Sequence, residues 1–143
     1  MKNVPKKGGL MNIQEEIKLL RYQIRLLHMM NKNKSFPFYT FVLTHNITEE
    51  QVNVLLSVLT IFEHKYLTKD SKDQKFSEED KKIIEDSLLS FEELKQADIC
   101  LYDFENQLKK IFTENTFDYR HLSMSLVKQG VHEELLTKLY EMK

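Results

Sequence analysis

The sequence predicts an all-α, single-domain, multihelical protein of about six or seven helices, and three observations carry that prediction. First, the 143 residues include only three Gly and two Pro. Pro5, Gly8 and Gly9 fall within the first nine residues, which leaves Pro37 and Gly130 as the only such residues from Leu10 onward; average usage would supply roughly a dozen and a half. A body this poor in turn formers does not suit a β-sandwich or barrel, and it holds no glycine-rich phosphate loop. Second, apolar residues recur at three- and four-residue spacing along most of the chain, and no stretch alternates cleanly enough for a strand. Third, the periodic segments are bounded by capping signals rather than by breakers. With 41% hydrophobic residues, a chain of this length can bury an ordinary core without staples.

Residues 1–10, MKNVPKKGGL, have linker composition and are expected to be a flexible basic N-terminal segment, with Met11 as an alternative start. Residues 11–143 form the expected single helical domain. Its first helix, about Asn12 to Met30, is long and places Leu10, Ile13, Ile17, Leu20, Ile24 and Leu27 at strict three-four spacing. The later turns carry Ile at heptad position a and Leu at d, which favours two parallel strands when such a helix forms a coiled coil. Glu16 at g and Arg21 at the next e sit where an interchain ion pair would form. The seam lasts only about two and a half heptads, short of the three to four that identify a coiled coil safely. A second stripe, Leu19, Tyr22, Leu26 and Met29 or Met30, makes the helix apolar on two faces. Two neighbours are therefore expected, one of them another chain, so that Ile13, Ile17, Leu20, Ile24 and Leu27 are the candidate oligomer interface.

Pro37 suits the first position of a short helix with Phe38, Phe41 and Val42 at helical spacing, ending near His45 and Asn46. Asn46 is a candidate for the left-handed residue after it. Thr48-Glu49-Glu50-Gln51 is a capping box with Ile47 placed to staple Val52, and it opens a helix with Val52, Leu55, Leu56, Leu59, Phe62 and Tyr66 inward. A polar loop is expected near 68–76. Ser77 caps a helix with Glu78, Glu79 and Asp80 in its first turn and Ile83, Ile84, Leu88, Phe91 and Leu94 inward. Asp103 is expected to cap the next, with Phe104, Leu108, Ile111 and Phe112 inward, and Asp118 the one carrying Leu122, Met124 or Ser125, and Leu126. Gly130 falls where a left-handed glycine closes that helix, with Val131 as its hydrophobic partner. A last helix carries Leu135, Leu136, Leu139 and Tyr140.

Charge is unevenly spread although the formal net charge is -1. Residues 1–34 hold eight Lys/Arg against two Glu, and residues 78–105 hold ten Asp/Glu against three Lys; two such regions attract each other within a chain or between copies. The single cysteine, Cys100, cannot form an intrachain disulfide, the N-terminus does not resemble a signal peptide, and no apolar run is long enough to span a membrane. A cytoplasmic protein is expected.

Three segments taken in order carry a family resemblance: MNIQEEIKLLRYQIRLL from Met11, FPFYTFVLTHNITEEQV at 36–52 and LSMSLVKQGVHEELL at 122–136. The best-matching positions are Pro37, Phe38 and Tyr39, the Thr48-Glu49-Glu50 cap, Leu126 with Gln129 and Gly130, and Glu134 with Leu135. Over most of its length outside residues 1–10 and a stretch within 68–100, the chain resembles the YhaI-like family, small all-helical bacterial proteins of unknown function that also occur on mobile elements. The resemblance implies a multihelical fold and an intertwined homo-oligomer; a dimer is favoured, as the Ile and Leu placement in the first helix suits two strands, and a trimer is possible. It implies no catalytic residues.

The residues themselves agree with that last point. His28, His45, His64, His121 and His132 are scattered singly, with no HExxH or CxxC spacing, so no metal site and no cofactor are expected. Glu49-Glu50, Glu78-Glu79-Asp80 and Glu133-Glu134 each fall in or near a first helical turn, where dipole compensation explains them better than acid-base catalysis. Cys100 has no basic activator beside it. Arg21, Arg25, Lys32 and Lys34 can contact phosphates, which makes a nucleic-acid-binding regulator the alternative function. Against it stand three Arg in all and no helix-turn-helix spacing. Phe36, Phe38, Tyr39 and Phe41 cover too much of a helix's circumference to share one buried face, so they either present a partner surface or fill an intrachain corner between the first and third helices. The function expected is that of a non-enzymatic homo-oligomer acting through contact with another protein, as a regulator or inhibitor of it.

Overall fold

The computed structural model describes residues 12–30, 35–68 and 75–142, which form eight helices and no strand among them. In chain order these are α1 (Ile13–Met29), α2 (Pro37–Thr44), α3 (Glu49–Leu67), α4 (Glu78–Glu85), α5 (Phe91–Gln96), α6 (Leu101–Ile111), α7 (Tyr119–Gln129) and α8 (Glu133–Met142). Residues 1–10, expected to be flexible, and most of the polar loop expected near 68–76 lie outside the described residues.

The 19-residue α3 is the axis of the fold. It opens on the Thr48 capping box, in which Gln51 N donates to Thr48 Oγ1 at 3.1 Å and Thr48 N donates to Gln51 Oε1 at 3.0 Å. Beyond that box the helix is buried over most of its circumference, with Leu55, Val58, Leu59, Ile61 and Phe62 enclosed and only a narrow strip at Asn53, Thr60 and Leu67 exposed. A helix so largely apolar has neighbours on several sides. Here α4, α5, α6 and α8 pack around it, while α2 lies on α7 and α7 on α8.

The predicted inward residues of α6 and α8 are all buried. Pro37 occupies the first turn of α2, Asn46 takes φ 53° after it, and Gly130 at φ 80° closes α7. The closing hydrogen bonds run from Gly130 N to Val127 O and from Val131 N to Leu126 O, the double bond pattern of a Schellman end.

Two expectations need correction. The helix predicted to run from Ser77 through Leu94 is two helices, so eight replace six or seven among the described residues. Ser87 ends the first: its Oγ donates to Ile84 O at 2.6 Å and accepts from Leu89 N at 3.1 Å, offering the backbone a turn in place of the helix ladder. Ser90 then accepts from Glu93 N and starts α5. Leu88, expected inward, projects from this turn at 89% exposure. Second, Asp103 does not cap α6. The cap position belongs to Cys100, which makes no side-chain cap, and Asp103 instead accepts from Asp98 N at 2.8 Å, holding the turn ahead of the helix.

Candidate interaction surface

Helix α1 starts on a box the sequence reading passed over. Glu15 N donates to Asn12 Oδ1 at 2.8 Å while Asn12 N donates to Glu15 Oε1 at 3.3 Å, an Asn form of the capping box. The signal was Asn12 followed three residues later by Glu15. Only Tyr22 and Leu26 of this helix are buried. Leu19 is half-buried beside them, so this second stripe faces the chain's own body.

Polar contacts flank that stripe. Arg25 Nη2 lies 2.7 Å from Glu49 Oε1, Lys18 Nζ lies 3.3 Å from Glu50 Oε1, and Gln23 Nε2 donates to Asn46 Oδ1 at 3.0 Å. Burial pushes the Tyr22 phenol up to about 12, helped by the Glu49 carboxylate, while the Arg25 guanidinium stands 5.7 Å from the ring centre and opposes the shift.

The other stripe has no cover among the described residues. Ile13, Ile17, Leu20, Ile24 and Leu27 are 65%, 46%, 56%, 52% and 56% exposed. In heptad terms the body occupies positions b, c and f, leaving a and d bare. Glu16 and Arg21, at g and e, are exposed, and neither forms an ion pair with another described residue. Scattered exposed aliphatics are ordinary, but five in one continuous stripe on one helix are not.

The candidate phosphate contacts divide. Arg21 is free among the described residues, Arg25 is held by Glu49, and Lys32 and Lys34 lie outside the described residues. The aromatic group is also divided. Phe38 is 2% exposed, and Phe41 packs edge-on against Phe117 with centroids 5.0 Å apart. Phe36 and Tyr39 stack on each other at 5.7 Å and keep partly exposed edges. The corner they fill is made with α7 and the turn before it, not between the first and third helices.

Gln129 is the residue that makes this corner. Phe36 gives α2 no side-chain cap, and the Gln129 side-chain oxygen accepts instead from Phe38 N at 2.9 Å and Tyr39 N at 3.2 Å. A cap supplied from 90 residues away leaves no local signal. Sequence reasoning also missed Lys65, whose ammonium donates to Leu94 O at 2.9 Å and to Ala97 O at the end of α5. Burial pulls its pKa down, against the raising pull of Asp98 and Asp103.

Among the described residues, no three His, Cys, Asp or Glu side chains group to hold a metal ion. His132 Nδ1 lies 3.1 Å from Glu63 Oε1 without hydrogen-bond geometry, and His64 packs on Phe76. A groove of about 360 Å³ between α3, α4 and α6 is lined by Val54, Ile83, Ile111 and Leu88 together with Ser87, whose hydroxyl donates to Ile84 O. No described helix is long and apolar enough to cross a membrane. Comparison with protein-family models, with curated proteins and with solved structures finds no match to this chain.

Proposed function

We propose that this is a non-enzymatic helical protein that assembles with copies of itself through α1 and acts by contact with another protein, as a regulator or inhibitor of it. One observation carries the reading: five seam residues in unbroken heptad spacing are about half exposed or more, on a helix whose opposite face is already spent on its own chain. Completing their burial is worth about 1 kcal/mol each. Two chains together gain on the order of 10 kcal/mol gross, comparable to the cost of bringing two proteins together.

The proposal includes membership of the YhaI-like family and a cytoplasmic location. The first is supported by the meeting of two of the matched motifs, since Gln129 caps the helix that begins at Pro37. The second is supported by the single cysteine and the charged amphipathic stretch that opens α1. The nucleic-acid alternative has less behind it, because Lys18 and Arg25 are matched by Glu50 and Glu49 of the same chain.

The test is sedimentation velocity on the wild type and on Ile17→Asp combined with Ile24→Asp. Each carboxylate would enter an apolar seam, so self-association is expected to weaken on the order of a thousandfold. Helicity is expected to stay intact because both positions are open to solvent in the single chain. An unchanged sedimentation coefficient for a multimeric wild type would place the contact elsewhere.

A further inference from the structure

The bare seam of α1 has the shape of half a coiled coil, and the charges beside it define which way a second copy can lie. Ile17 and Ile24 stand at a and Leu20 and Leu27 at d, the arrangement that favours two strands over three or four. Glu16 at g and Arg21 at the next e are the two exposed charged side chains bordering the seam, and neither has an ion partner among the described residues. Lys18 and Arg25, at b positions away from the seam, do have partners. Among the described residues, the cations that face the chain's own body are therefore matched and one cation and one anion along the open edge are not. In a parallel pair, g of one helix meets the following e of the other. An antiparallel pair would instead set e against e and g against g, so that in one register Arg21 meets the partner's Arg21, in the other Arg21 and Glu16 meet the partner's uncharged Gln14 and Gln23, and in neither does Glu16 meet Arg21. Only the parallel arrangement sets the unmatched anion against the unmatched cation.

We propose that two copies of this chain pair their α1 helices in parallel and in register, with Glu16 of each opposite the partner's Arg21 and the body of each chain on the outer face. The inference rests on the assembly reading above and adds the partner's orientation and stoichiometry. Nothing in the chain's own packing blocks it, because Tyr22 and Leu26, the buried residues of α1, lie at f and c on the far side of the helix. A groove of about 420 Å³ lined by Gln14, Ile17, Lys18, Arg21, Arg25 and Glu49 runs along the e side, leaving the Arg21 side chain room to reach across.

A charge exchange in the full-length protein tests this. Glu16→Lys alone and Arg21→Glu alone are each expected to weaken self-association about tenfold, and the combination to recover to within about threefold of wild type. In a Cys100→Ser background, Ile24→Cys is expected to give an interchain disulfide under mild oxidation, since two a positions face each other only across a parallel, in-register pair. A two-chain mass with neither recovery nor disulfide overturns the parallel arrangement while leaving assembly through α1 standing. A three-chain mass overturns the two-stranded pairing. A one-chain mass at micromolar concentration overturns both the pairing and the assembly reading.

Discussion

Tyr140 shows at residue scale how this fold treats buried polarity. Its ring is 8% exposed, and its hydroxyl sits between three helices: Ser123 Oγ donates to it at 3.1 Å, and Glu105 Oε2 lies 3.1 Å away as its acceptor. Burial is the main cause pushing this phenol up to about 12, with the Glu105 carboxylate adding to the rise and the Ser123 hydrogen bond opposing it. The unfolded chain releases the proton near pH 10, so between about pH 10 and pH 12 the unfolded state is favoured increasingly. The contribution is complete below pH 10 and lost as pH rises through the folded value. Tyr140→Phe is expected to flatten the alkaline fall in unfolding free energy by about 2 kcal/mol over that interval, read from urea midpoints at stepped pH. Tyr140 was legible from the sequence as an inward residue of the last helix. Its network was not, because Ser123 and Glu105 belong to other helices and ordinary spacing does not single them out. Lys65 was hidden for the same reason: nothing local distinguishes a lysine that will close the end of α5 from one that will be solvated.

At the scale of elements, capping made the helix boundaries readable and its absence made them fail. Thr48, Ser77 and Asp118 announced the starts of α3, α4 and α7, and each side chain accepts from a backbone N–H of its helix. Asp103 misled because an acidic residue two positions inside a helix looks like a cap when the true start, Cys100, has no capping side chain. The break at Ser87–Ser90 was hidden by apolar residues that keep helical spacing across it; two serines competing for the backbone outweighed the periodicity. Helix α2 depends on α7 for its cap, and that dependence can be measured. Gln129→Ala leaves Phe38 N and Tyr39 N without their acceptor and is expected to cost about 1–2 kcal/mol. Gln129→Glu keeps an acceptor at the positive end of a helix dipole and is expected to retain most of the wild-type stability. Chemical denaturation of the two variants separates the lost acceptor from a packing effect, since only the alanine variant should lose stability.

At the scale of the whole molecule, the chain is a cluster of helices around α3 with one helix laid along its side. The body was legible as an all-α core because its apolar positions recur with helical periods and end up enclosed. The two-faced pattern of α1 was legible too, and the described residues cover one face of it only. What covers the other face cannot be written in one chain's contacts, since periodicity reports that a face is apolar and not what meets it. Whether a second α1 covers that face is tested most directly by concentration-dependent amide hydrogen exchange, because it locates the contact. Alone, α1 is held by two buried side chains and a few exposed polar contacts, so its amides should open readily. The account predicts that exchange along 16–28 slows as protein concentration rises through the dissociation constant, while exchange in α3 stays constant. Exchange in α1 that is the same at every concentration where the protein is multimeric would contradict it.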